Sequence, residues 1–418
     1  MYGIKKLNNL FNSIKTLIMQ LTIFLVTVLC FFSPSLSQAP KNNHSSLRNI
    51  PISPSAKKER SHMQVVFALD ATGSMTGLIG AAKDKIWSIA SSLSQTEPAP
   101  ILELGLIFYR DRGDDFITHI VPLTDSIDIV YTELMKITAD GGGDGPESVN
   151  QGLYEAVTKF NWSPQQKVYK TIFLIGDYPP HMDYTDDVKY PESCILAKSK
   201  GIVLNTILMG NNKETEKVWN DISRCNQGVF VKANMNMNDI AISTPYDVEI
   251  ANLSDSLESL IYYYGNATAK AMGEKMKGDY SSIRGSASVN VVAQRAEFIQ
   301  NKKASYEADK TYITNDLLTD IMANRIKLDT IKIAALPNEL KNLSPEERKT
   351  QVESKINLKK SLTKKLMEKT KLRSSYIDNE LKKHNESMVE SSFNNVIFKN
   401  IKQQAKRSGI ELIGVAKY

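Results

Sequence analysis

Asp70, Thr72 and Ser74 stand at alternate positions in Asp70-Ala-Thr-Gly-Ser74, directly after the apolar run Val65-Val-Phe-Ala-Leu69. A carboxylate and two hydroxyls so spaced, at the carboxyl end of a strand, can turn three oxygens toward one point. Hard divalent cations such as Mg²⁺ take oxygen ligands near octahedral geometry and keep some of their water. Two more carboxylates lie in comparable settings. Asp144 sits in Gly141-Gly-Gly-Asp-Gly-Pro-Glu147, and Asp177 follows Leu174-Ile-Gly. The candidate metal set is therefore Asp70, Thr72, Ser74, Asp144 and Asp177, with Mg²⁺ as the expected ion and Mn²⁺ or Ca²⁺ as alternatives. Other polar features carry less chemistry. Three glycines at 141–143 are not followed by the Lys-Ser/Thr of a P-loop. Arg112-Gly113-Asp114 reads as a hairpin turn, where Gly and Asp belong on conformational grounds. His119 and His181 have no partner at a ligand spacing and read as surface or loop residues. Asp183, Asp186 and Asp187 read as a solvated helix start favoured by the helix dipole.

The elements that must position these residues alternate. Strands are expected at 65–69, 104–109, 168–176, 202–208 and 228–231, with 116–121 as a hairpin partner of 104–109. Helices are expected at 78–93, 126–137, 147–160, 188–200 and 214–224. Strands alternating with helices of ten or so residues predict a mainly parallel sheet covered on both faces. Ligands of such sheets sit at the carboxyl ends of the strands, which is where Asp70 and Asp177 fall. Beyond about residue 235 the pattern is all helical: 253–276, 289–302, 316–326 and 393–406, the last ended by Gly409. Ser344-Pro-Glu-Glu347 is a helix start with a capping box. The stretch from there to about Lys383 has apolar residues at irregular spacing, which does not hold a coiled-coil register, so a helical hairpin packed on itself is expected.

Asp-x-Thr-Gly-Ser after a first strand, a Gly-Gly-Gly-Asp loop before a helix, and Ile-Gly-Asp after the central strand together resemble the three metal-site loops of a von Willebrand factor A (VWA) domain, with strand and helix order agreeing over 63–232. The resemblance implies a doubly wound, Rossmann-like α/β fold with a metal-ion-dependent adhesion site (MIDAS). It implies that Asp70 binds the ion mainly through water, that Thr72 and Ser74 coordinate directly, and that Asp177 acts through water or behind the ligands. Asp144 stands where the family usually has a Thr. Three carboxylates against a divalent ion should hold it well yet make it a weaker electrophile toward a partner's carboxylate.

The amino terminus reads as an export signal. Lys5, Lys6 and Lys15 precede the apolar run Thr16–Phe32, and small residues at Ser35 and Ser37 follow. The alternative is an uncleaved anchor. The expected organisation is a signal peptide at 1–38, a linker at 39–62, the VWA domain at 63–235 and a helical region at 236–418. The net charge of +6 hides an acidic VWA segment and a basic carboxyl-terminal one. No aromatic-interleaved basic patch or nucleic-acid motif accompanies the basic half, so nucleic acid is not expected as a partner. Association with a membrane surface, through the anchor or the basic tail, stays open. Cys194 and Cys225 remain after export, and the sequence leaves a bridge and two buried thiols equally open.

These readings converge on an exported protein, periplasmic or secreted, that binds a divalent cation and through it a protein ligand, for adhesion or another protein–protein interaction, without catalysis. The alternative is an envelope assembly factor in which the metal only staples the loops and the helical region carries the interaction. A hydrolase would need a poised base near the metal, and none is evident in the three loops.

Overall fold

The computed structural model describes residues 60–97, 99–233, 240, 242–283, 285–306 and 315–418. The expected signal peptide and almost all of the expected linker lie outside the described residues. The body from Glu59 to Tyr418 is one compact unit.

Six strands form one sheet: β1 (His62–Asp70), β2 (Ile101–Tyr109), β3 (Thr118–Thr124), β4 (Val168–Gly176), β5 (Ile202–Met209) and β6 (Phe230–Ala233). Their order is β3-β2-β1-β4-β5-β6. Only β3 runs antiparallel, as the hairpin partner of β2; the other pairings are parallel. The chain switches direction across the sheet between β1 and β4, the place where doubly wound sheets form a ligand crevice. Register puts Leu69 opposite Ile175, so Asp70 and Asp177 emerge side by side there.

Alternation along β1 feeds two cores. Val65, Phe67 and Leu69 pack on one face, Val66 and Ala68 on the other. The second face is closed by α3 (Val149–Thr158), α4 (Tyr190–Ser199) and α5 (Lys213–Cys225), with Leu153, Ala156, Ala197, Trp219 and Ile222 in the shared core. Cys194 and Cys225 form a disulfide between α4 and the end of α5, with their Cα atoms 6.0 Å apart. The first face is covered by α1 (Ile79–Ser94) and α2 (Ile127–Lys136), and then by elements from the far end of the chain.

That far end holds α6 (Asp247–Ser259), α7 (Ala267–Ser282), α8 (Val289–Tyr306), α9 (Leu317–Met322), α10 (Asn338–Lys341), α11 (Pro345–Leu381), α12 (Glu386–Ser391) and α13 (Phe393–Arg407). Helix α8 packs on α1 through Val291 and Phe298, whose ring meets Trp87 edge-on, while Phe393, Ile397, Ile401 and Ala405 of α13 join the same core. Gln404 of α13 reaches the sheet itself: it accepts from the Tyr169 hydroxyl at 2.6 Å, and its amide donates to Asn205 Oδ1 at 2.8 Å.

Two helical expectations are corrected. The helix expected over 253–276 is two, because Tyr262 and Tyr264 pair in extended conformation with Asn315 and Leu317, and Gly265 takes a left-handed φ of 119°. The hairpin expected after Ser344 is a single helix of 37 residues, with its capping box in place. Its buried face is Val352, Lys359, Leu366, Thr370, Arg373 and Ile377, a helical stripe with polar members. Lys359 meets Asp316, and Arg373 meets Asp247 at 2.9 Å and Glu297 at 3.0 Å. An apolar pattern alone therefore looked broken.

Candidate metal centre

The apex of the sheet is laced by main-chain bonds before any side chain is considered. Ala71 donates to Tyr109 O, Asp140 to Ala71 O, and Gly73 to Gly141 O at 3.0 Å, which ties the first loop to the second. Glu147 donates to Pro179 O and His181 to Glu147 O, tying the second to the third. Arg110, buried, locks the crossing by donating to Ala71 O and Thr138 O, each at 3.0 Å.

On this frame Asp70 is fully buried. Its Oδ1 accepts from the Thr72 amide at 2.9 Å and the Thr72 hydroxyl at 2.6 Å. Thr72 Oγ1 lies 3.2 Å from Ser74 Oγ, and Ser74 donates to Asp177 Oδ1 at 2.9 Å. Four of the five expected residues thus converge. Close approach of β4 is needed for this: a Cβ on Gly176 would stand 2.9 Å from Asp70 Oδ2 and 2.4 Å from the Tyr109 hydroxyl.

Asp144, expected in the family's Thr position, is placed elsewhere. Its side chain is exposed, and its ionic partner among the described residues is His181 Nε2 at 3.5 Å. The acid that reaches the Asp70 cluster from the second loop is Glu147, three residues on and 1% exposed. A Cβ on Gly142 would touch both Glu147 Oε1 and the Thr72 side chain, so the glycine at 142 is what lets this carboxyl in. The sequence signal for Glu147 was available in the Pro-Glu pair. Asp144 is the nearer acid to the glycines, yet the loop, with Gly141 and Gly142 both at φ 74°, leaves that side chain exposed.

The electrostatics ask for a cation. Among the described residues, Asp70 Oδ2 and Glu147 Oε2 are both buried without a hydrogen-bond partner, and buried polar atoms are nearly always satisfied. Burial first, then the neighbouring Asp177 charge, raises the Asp70 carboxyl to about 7, against hydrogen bonds from Thr72 that lower it. Burial and the Asp70 charge raise Glu147 to about 9, and burial raises Asp177 as well. Three carboxyls and two hydroxyls, with two orphaned oxygens among them, fit a hard divalent ion. Asp70, Thr72, Ser74, Glu147 and Asp177 are the residues that would hold it, and the ion would supply a positive centre at the apex.

Other expectations resolve nearby. Asp114 of the Arg-Gly-Asp turn accepts from the Gly142 amide and from the Asp111 amide, while Arg112 pairs with Asp186 at 2.8 Å and Asp187 at 2.7 Å. Both ends of the tripeptide are used internally. Asp186 and Asp187 are therefore paired rather than freely solvated. His181, expected as a surface or loop residue, lies in a loop but is 5% exposed, among Asp111, Asp144 and Asp183. His119 is exposed, as expected.

An α/β domain whose metal-type oxygens gather at the switch point of a doubly wound sheet defines the class. Residues 64–234 match the von Willebrand factor A domain family; this part of the chain is a VWA domain, and a VWA domain implies a divalent cation at its MIDAS. No curated protein matches the sequence. Among solved structures, proximal thread matrix protein 1 from the mussel byssus is 17% identical, with 42% of each chain covered and a TM-score of 0.33. The same protein with a zinc-occupied MIDAS motif is 19% identical with the same coverage and TM-score. The pilus adhesin SpaC from Lactobacillus rhamnosus GG is 14% identical over 43% of this chain and 28% of that one, at a TM-score of 0.34. The chain thus spans less than half the length of each of these proteins.

Proposed function

We propose that this protein is an exported, divalent-cation-dependent binding protein whose VWA apex presents Mg²⁺ to a protein ligand. The observation that carries the reading is that, among the described residues, Asp70 Oδ2 and Glu147 Oε2 are buried without a hydrogen-bond partner on the two acids whose other oxygens lie beside Thr72. Mg²⁺ is favoured over softer ions there because every donor is oxygen. With Asp70, Asp177 and Glu147 around it, the ion keeps little net positive charge, which favours a polar or water-mediated contact over capture of a bare carboxylate. Export is supported by the basic-apolar-small order of residues 1–38 and by the Cys194–Cys225 disulfide, since such bridges belong to oxidising compartments. A binding role is preferred to catalysis because, among the described residues, the imidazole of His181 contacts Asp183, Asp111, Asp144 and Tyr184 and not the acids of the Asp70 cluster.

A second reading, an envelope assembly factor, is favoured by one observation. The helical region shares the core of the sheet's first face and so presents the apex as part of a larger rigid body. Capture of proteins from an envelope extract by the immobilised chain separates the two. Partners released by EDTA and absent with Asp70→Ala support apex binding. Partners retained under both conditions support the assembly reading.

A further inference from the structure

We propose a second metal site beside the Asp70 cluster, formed by Asp111, Asp144 and His181 and suited to a transition-metal ion such as Zn²⁺. The three ligand atoms lie within 4.8 Å of one another. His181 Nε2 is 3.5 Å from Asp111 Oδ2 and 3.5 Å from Asp144 Oδ1, and among the described residues it is buried without a hydrogen-bond partner. Ligands held at about 2.0–2.1 Å around a tetrahedral zinc stand about 3.3–3.4 Å apart, which both His181 distances approach.

The surroundings are those of a prepared ligand set. His181 Nδ1 lies 2.8 Å from Asp183 Oδ1, so a bound ion would find the proton held on Nδ1 and the Nε2 lone pair turned toward it. Tyr184 stacks on the imidazole with ring centroids 4.0 Å apart and donates to Asp111 Oδ2 at 2.9 Å, while Ser148 donates to Asp111 Oδ1 at 2.8 Å. Asp111 and His181 are therefore fixed and buried, and exposed Asp144 gives the ion a way in and leaves a position open to water. Imidazole as a ligand selects zinc, cobalt or nickel over Mg²⁺ and Ca²⁺, so the two sites differ in ion as well as in residues. The same arrangement explains why Asp144 turns away from the Asp70 cluster.

The test is Co²⁺ titration of the full chain, followed by stoichiometry and by the visible absorption of tetrahedral cobalt. The Asp70→Ala variant, which removes the first site, should still take up one equivalent with that absorption. Adding Asp144→Asn or His181→Asn to it should abolish both, and Asp183→Asn should weaken uptake about 10–100-fold. Asp144 is exposed, so its variant keeps the fold if His181→Asn does not. Mg²⁺ binding to the single Asp144→Asn variant should persist, which separates this site from the first. Co²⁺ uptake with unchanged stoichiometry and spectrum in Asp144→Asn, or no uptake by Asp70→Ala, would overturn the proposal.

Discussion

Asp70 carries the sharpest consequence at the scale of single residues, because it is a fully buried acid raised to about 7. In the unfolded chain the same carboxyl titrates near 3.8. Between those values the metal-free fold binds more protons than the unfolded chain, so stability is highest below 3.8 and falls as pH rises through 7. Glu147 extends the loss from 4.5 to about 9. Metal-free protein should therefore melt at lower temperature at pH 9 than at pH 6, and Mg²⁺ should reverse most of the difference. The same protons compete with the ion, so Mg²⁺ affinity should rise from pH 6 to pH 9 in calorimetry. Asp70→Asn should abolish Mg²⁺ binding while raising metal-free stability above pH 7 by about 2 kcal/mol. A variant less stable than wild type under those conditions would show that the acid is not ionised at a cost. Asp70, Thr72, Ser74 and Asp177 were legible in the sequence because each sits at a strand end or one tight turn beyond it. Glu147 was not, since which acid of a glycine-rich loop points inward depends on left-handed φ values at Gly141 and Gly142.

Among the elements, α13 does what the VWA segment's own helices leave undone. Tyr169 and Asn205 bring buried polar groups to the sheet face, and Gln404 bonds to both. Gln404→Ala should leave the Tyr169 hydroxyl without that partner and cost about 2 kcal/mol, measured by urea unfolding; a loss under about 0.5 kcal/mol would mean another group or water takes its place. Strand and helix order over the VWA segment was legible from periodicity, which depends on local alternation alone. The contact of α13 with the sheet was not, because a polar residue in the middle of a strand and a glutamine in a distant helix give no local sign of each other. The continuity of the long helix α11 is not legible for a related reason: Lys359 and Arg373 face inward to carboxylates, and a pattern of apolar residues does not register them.

In the molecule as a whole, the VWA segment and the helical region share one core. Val291, Phe298, Phe393 and Ile401 sit in the same cluster as Phe67, Trp87 and Leu106. Heating should therefore give a single transition, and a fragment ending at residue 235 should aggregate rather than fold, as seen by light scattering; a soluble fragment with native metal affinity would refute this. Tail removal, the obvious way to separate the two functional readings, would consequently report on folding instead. The disulfide joining α4 to α5 should leave one free thiol, Cys30, in the denatured, non-reduced full chain, and Cys194→Ser with Cys225→Ser should cost about 3 kcal/mol. The measurement that bears most directly on the metal-dependent reading is Mg²⁺ calorimetry on wild type, Asp70→Ala, Glu147→Gln and Asp144→Thr. One equivalent should bind wild type and Asp144→Thr, weakly to Glu147→Gln and not to Asp70→Ala. Equal binding by Asp70→Ala and wild type, or loss confined to Asp144→Thr, would contradict the site.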